Sequence, residues 1–273
     1  MKPPEVKVPD VKALYVNAIG LAAPGLQGWA QSRQILAGAQ PWVALPETPY
    51  ASQLLPPNER RRAPAGVRQA FRAAEDAQSV CTIDFAQLAA VFASSDSDLA
   101  VMDRINCALS EPVRAVSPTD FHNSVHNAAS GYWSIAAACR QPTTAVGGYD
   151  GSFAMGLLEA AALVHGDGFG VLLVAFDVLP PPLLRASRPL SCAASLALVL
   201  GDAPGQGTLA RLRLSLADEA ESPLQDAALE QLRLGNPALR GLPLLCAIAR
   251  GGSTRLVLPQ VPACNVVLEV ETA

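Results

Sequence analysis

The stretch from Pro142 to Ala162, PTTAVGGYDGSFAMGLLEAAA, reads as three pieces in succession. Residues 142 to 148 form a strand that ends in Gly147-Gly148. Tyr149 to Phe153 make a sharp turn, and residues 152 to 165 continue as a helix rich in alanine and leucine, polar chiefly at Ser152, Glu159 and His165. A helix that apolar must be buried nearly all round. The turn therefore places Asp150 at the start of a buried helix, where unpaired backbone N–H groups and the helix dipole favour an anion.

Working outward, apolar runs at 13 to 22, 88 to 94, 170 to 177 and 195 to 200 read as buried strands, the last ending at Gly201-Asp202. Helical spacing appears at 27 to 37 and at 65 to 78, where Val67, Phe71 and Ala74 share a face. A helix over 96 to 107 has Ser95 or Asp96 as its cap. The proline-punctuated segment 41 to 57 has no periodicity and reads as a surface loop. The tail adds a strand at 209 to 216, a helix at 224 to 234 and β-like stretches at 255 to 259 and 265 to 270. No repeat and no second domain boundary are visible, so residues 1 to 273 read as a single α/β domain.

Composition fits a buried α/β protein: 50% of residues are hydrophobic, 16% are charged, and the net charge of −4 gives no basic footprint for nucleic acid. The polar, proline-rich opening MKPPEVKVPDVK has no apolar signal-peptide core. The longest apolar stretch, 169 to 184, is interrupted by Asp177 and Pro180-Pro181-Pro182 and is too short to span a membrane. These features predict a cytoplasmic protein. The six cysteines, at 81, 107, 139, 192, 246 and 264, form no CxxC pair and read as reduced, mostly buried small hydrophobes. His122 and His126, four residues apart, have no acidic or thiol third ligand beside them, so no metal is expected. Arg60, Arg61 and Arg62 read as a solvated helix start in preference to a carrier-binding patch.

Two blocks carry a family resemblance. The block Ser117 to Ile135, SPTDFHNSVHNAASGYWSI, followed at this spacing by Pro142 to Ala162, resembles the N-terminal half of a β-ketoacyl synthase of the thiolase superfamily. LLPPNERRRAP, at 54 to 64, resembles that family's LPxxERRR segment. The resemblance implies a thiolase-like layered αβαβα architecture, with one complete half (1 to 205) and a truncated C-terminal half (206 to 273). It puts Asp150 on the family's nucleophilic cysteine; a one-residue shift would put Tyr149 or Gly151 there, and no register supplies a thiol. A carboxylate cannot form the acyl thioester of the condensing reaction. The family's two downstream histidines are also missing, since the only histidines are His122, His126 and His165.

The resemblance therefore implies a degenerate homologue similar to a chain length factor, most like the small synthase-like subunits of aryl-polyene and xanthomonadin-type pathways. Its implied partners are a full-length cysteine-bearing ketosynthase, in a heterodimer, and an acyl carrier protein through that complex. No cofactor is implied. His126, Asp150, Ser152, Phe153, Met155 and Gly156 are the candidates for an acyl tunnel or pocket. His122, Asn127, Tyr132 and Trp133 are the candidates for the dimer seam. Asp150 is expected to bind the helix N-terminus, and the reduced C-terminal half to leave apolar surface for a partner to cover. Three readings compete: an enzyme using Asp150 or His126 as acid/base, a homodimeric acyl-binding module, and a scaffold for other pathway enzymes.

Overall fold

Parallel pairing at the centre of one sheet sets the frame. In the computed structural model, which describes residues 12–273, β3 (Ala89–Ala93) lies parallel to both β4 (Thr143–Val146) and β5 (Val171–Asp177). Every residue of β3 and β5 is buried, as continuous apolar strands covered on both faces must be. The N-terminal residues 1–11, expected to lack a signal-peptide core, lie outside the described residues.

The sheet extends antiparallel from β5 through β6 (Ala194–Gly201) and β1 (Leu14–Ala23). It continues to β7 (Ala210–Ala217), β9 (Cys264–Thr272) and β8 (Ser253–Val261), giving the order β4-β3-β5-β6-β1-β7-β9-β8. A short strand, β2 (Leu26–Gln27), pairs with β1 and leads into α1 (Trp29–Leu36).

Two helices cover one face. α3 (Ala65–Val80) lies across β1, β5 and β6, following the short α2 (Pro57–Arg62). It comes so close that a Cβ on Gly20 would sit 1.9 Å from the Ala73 carbonyl oxygen. α6 (Ala128–Ala136), reached through α4 (Leu99–Ser110) and α5 (Pro118–Asn123), brings Trp133 into the same layer. Its indole is ringed by Phe71, Phe85 and Phe92, with centroids 5.6, 5.8 and 6.1 Å away.

The other face packs on α7 (Ser152–Asp167), whose residues through Ala161 are all buried or half-buried. α7 touches β3 and β5 and also β8, which stands six places beyond β3 in the strand order. A flat sheet would separate those strands by about 29 Å, roughly three helix diameters. The sheet therefore curls around α7, which becomes a central helical layer together with α9 (Leu242–Arg250) and the 3₁₀ turn Pro237–Gly241. The result is the layered thiolase-like arrangement expected from the resemblance.

Several local expectations are corrected. The helix expected from residue 96 begins at Leu99, because Ser94 and Ser95 bind the buried Asp177 carboxylate and Ser97 turns with φ +58°. α8 (Ala227–Leu234) starts three residues later than expected, where the Asp226 carboxylate accepts from the N–H groups of Ala228 and Leu229. Of the cysteines, only Cys139 and Cys246 are buried, and all six are free thiols. His122 and His126 do not share a helix turn, since α5 ends at Asn123. No described helix is long and apolar enough to cross a membrane.

Candidate active-site elbow

The carboxyl ends of parallel strands are where α/β sheets open to ligands, and here three of them converge. β3 runs out into Ser94 and Ser95, β4 into Gly147 and Gly148, and β5 ends at Asp177. Between β4 and α7 lies a single 3₁₀ turn, Tyr149–Gly151, with Tyr149 in the left-handed region at φ +53°. A non-glycine residue there carries backbone strain, so the surroundings must hold it. The Arg188 guanidinium carbon stacks 3.9 Å from the Tyr149 ring centroid. Ser152 fastens the turn from beneath: its Oγ donates to the Tyr149 carbonyl (2.6 Å) and accepts from the Gly148 N–H (3.0 Å).

Close approach dictates the glycines. A Cβ on Gly151 would lie 2.1 Å from the carbonyl oxygen of Gln260 in β8. One on Gly148 would lie 2.7 Å from the Met155 side chain. The C-terminal hairpin thus closes over the elbow, and the Gln260 amide donates to Met155 Sδ at 3.0 Å.

Asp150 does not bind the helix N-terminus, contrary to expectation. Its carboxylate turns to two arginines that sequence reasoning did not single out. Arg188 Nη1 donates to Oδ1 at 2.8 Å and Arg240 Nη2 to Oδ2 at 3.3 Å. Arg188 comes from the loop after β5 and Arg240 from the 3₁₀ turn before α9, both far from the elbow in sequence. Arg188 also pairs with Asp96. Burial works against its charge, yet the hydrogen bonds it donates to Asp150 and Asp96 outweigh it and hold its pKa above the usual arginine value. The chain of ion pairs continues from Arg240 to Glu221, from Glu221 to Arg233, and from Arg233 to Glu230.

Beneath the elbow, Asp177 is fully enclosed. Its Oδ1 accepts from Ser94 Oγ, Ser95 N–H and Ser95 Oγ at 2.7 to 2.9 Å. Burial pushes its pKa up to about 7 despite those hydrogen bonds, and nearby Asp96 acts in the same direction.

The other sequence-derived candidates separate into groups. His126 Nε2 lies 3.1 Å from the Ser94 carbonyl, so it supports the β3 end. Phe153 is wholly buried in the core, and a Cβ on Gly241 would lie 2.6 Å from its ring. Gly156 faces the sheet, where a Cβ would meet Ala93 and Leu173 at 2.8 Å. A large residue at 156 would therefore split helix from sheet before it filled any tunnel. Tyr132 and Trp133, expected at a seam, belong to the chain's own core with 2% and 0% exposure; the three phenylalanines enclose Trp133, and Tyr132 packs edge-on against His122. His122 and Asn127 do reach the surface, in a groove of about 430 Å³ bordered by Phe121, Val125 and Ile135. Among the described residues no three His, Cys, Asp or Glu side chains cluster as a metal site.

The layered sheet with a left-handed elbow between a parallel strand and a buried helix agrees with a thiolase-like ketosynthase fold. The family model for the β-ketoacyl synthase N-terminal domain matches residues 27–242, and the chain belongs to that family. No curated protein matches the chain significantly in sequence. Among solved structures, it shares its fold with a chain of the ketosynthase (ApeO) in complex with its chain length factor (ApeC) from Xenorhabdus doucetiae. The TM-score is 0.72 at 23% identity, over 94% of this chain and 99% of that one. A chain of the ishigamide ketosynthase/chain length factor gives 0.72 at 13% identity, over 95% and 99%. A chain of AntDE:AntF, a type II polyketide synthase acyl carrier protein in complex with its hexaketide-bound ketosynthase, gives 0.69 at 11% identity, over 97% and 100%.

Proposed function

We propose that this chain is the non-catalytic partner of a cysteine-bearing β-ketoacyl synthase, acting as a chain length factor in the assembly of polyketide or fatty-acid-like chains of the aryl-polyene type. The observation that carries the reading is the elbow. Where the family's nucleophile is expected, a carboxylate is held by Arg188 and Arg240, and an anion so neutralised has neither a thiol's nucleophilicity nor a base's free lone pair.

The outer surface supports pairing. Six large apolar side chains, Met102, Leu109, Val113, Phe121, Val125 and Ile135, stand 40 to 84% exposed along α4, α5, α6 and the segments between them. Beside them, among the described residues, β4 pairs only with β3, which leaves a free strand edge. Exposed apolar surface next to an open edge invites a partner. In this reading His122 and Asn127 border the seam, while His126, Ser152 and Met155 shape the wall nearest the growing acyl chain. The carrier protein engages the pair through the active subunit.

Coexpression with a cysteine-bearing ketosynthase tests this directly. A one-to-one complex that makes product, with turnover insensitive to Asp150→Asn but abolished by loss of the partner's cysteine, is the expected outcome. Turnover of malonyl-carrier protein by the purified chain alone, lost on Asp150→Asn, would replace the reading with an independent enzyme. A homodimer carrying bound fatty acid would point to an acyl-binding module.

A further inference from the structure

The guanidinium groups of Arg188 and Arg240 converge on one spot from separate parts of the chain, with side chains only 8% and 11% exposed. Each keeps a buried N–H without a partner among the described residues, at Arg188 Nη2 and Arg240 Nε. Two nearly buried positive charges at one place require an anion between them, since desolvated charge is tolerated only when paired. Asp96 neutralises Arg188 from one side, and Glu221 approaches Arg240 at 3.9 Å from the other. Asp150 bridges the two, one oxygen to each arginine.

We propose that Arg188 and Arg240 form a small-carboxylate binding site which the chain fills with its own Asp150, closing the elbow with an internal anion. The planar fork of a guanidinium suits a carboxylate, and the two arginines grip it from opposite ends. The Asp150 side chain is 44% exposed, so truncating it opens the site to solvent and to a free anion of the same chemistry. The inference rests on this geometry alone and stands whether or not the chain pairs with a ketosynthase.

The test is chemical rescue. Asp150→Ala is melted in sodium formate, sodium acetate and sodium chloride at matched ionic strength. The site predicts a Tm lower than wild type by about 3–6 °C in chloride. It also predicts a saturable recovery of at least half that loss in formate, a weaker one in acetate, and no formate response in wild type. The double variant Asp150→Ala, Arg188→Gln loses the recovery. Crystals of Asp150→Ala soaked in formate show the ion between Arg188 Nη1 and Arg240 Nη2. An unchanged Tm in Asp150→Ala, or equal recovery in chloride and formate, overturns the proposal. If Asp150→Ala folds in no salt, Asp150→Asn decides: it keeps the shape and loses the charge, so a lower Tm upholds the site and a wild-type Tm overturns it.

Discussion

At the scale of single residues, the elbow is fixed by what cannot fit. Gly151 faces the Gln260 backbone at a distance no Cβ tolerates, and a strand backbone cannot yield as a side-chain tip can. Gly151→Ala should cost about 2 kcal/mol, read as a lower urea midpoint with an unchanged slope. Asp177 predicts a pH signature. Its folded pKa of about 7 lies above the ordinary 3.8, so the folded state holds the proton more tightly over that interval. The stability this confers is complete below about pH 4 and is lost as pH rises to about 7. The difference in unfolding free energy between Asp177→Asn and wild type should therefore shift toward the variant from pH 4 to 7, and a constant difference would refute the shift. The family resemblance singled out Asp150 as the candidate for the nucleophile position. Its partners were not legible, because Arg188 and Arg240 lie 38 and 90 residues away in segments with no motif.

At the scale of elements, periodicity located what is buried on its own. α7, β3 and β5 stood out as predominantly apolar runs, since covered strands and a central helix cannot carry broad polar faces. Elements that depend on tertiary partners were misplaced or missed. The start of α4 moved because Ser94 and Ser95 serve Asp177. α9, LPLLCAIAR, opens with Leu242-Pro243 and reads as neither helix nor strand until the core beneath it is known. α6 offers the sharpest test of the layer it joins. With its indole caged by three phenylalanines, Trp133→Ala should cost about 3–5 kcal/mol, measured by chemical denaturation. A surface seam residue would cost far less.

At the scale of the molecule, the apolar surface lies on a different side from the one the truncated half suggested. Beyond residue 205 only Leu216, Leu234 and Val261 stand out as exposed large apolar residues, because Ser222 bonds to the β8 edge and the hairpin folds back over the elbow. The open surface is on α4, α5 and α6 beside β4, and its Phe121, Val125 and Ile135 come from the first of the two blocks that carry the family resemblance. Ile135 on α6 is 58% exposed, so Ile135→Asp should leave the Tm of the isolated chain within about 1–2 °C of wild type. The same change should abolish pairing, since a charge buried in an apolar seam is costly. The decisive measurement is the mass, by native mass spectrometry, of the tagged chain purified after coexpression with a cysteine-bearing ketosynthase, as wild type and as Ile135→Asp. A one-to-one heterodimer for wild type and a free chain for Ile135→Asp is the predicted result. A wild-type chain that comes out alone or as a homodimer would contradict the account.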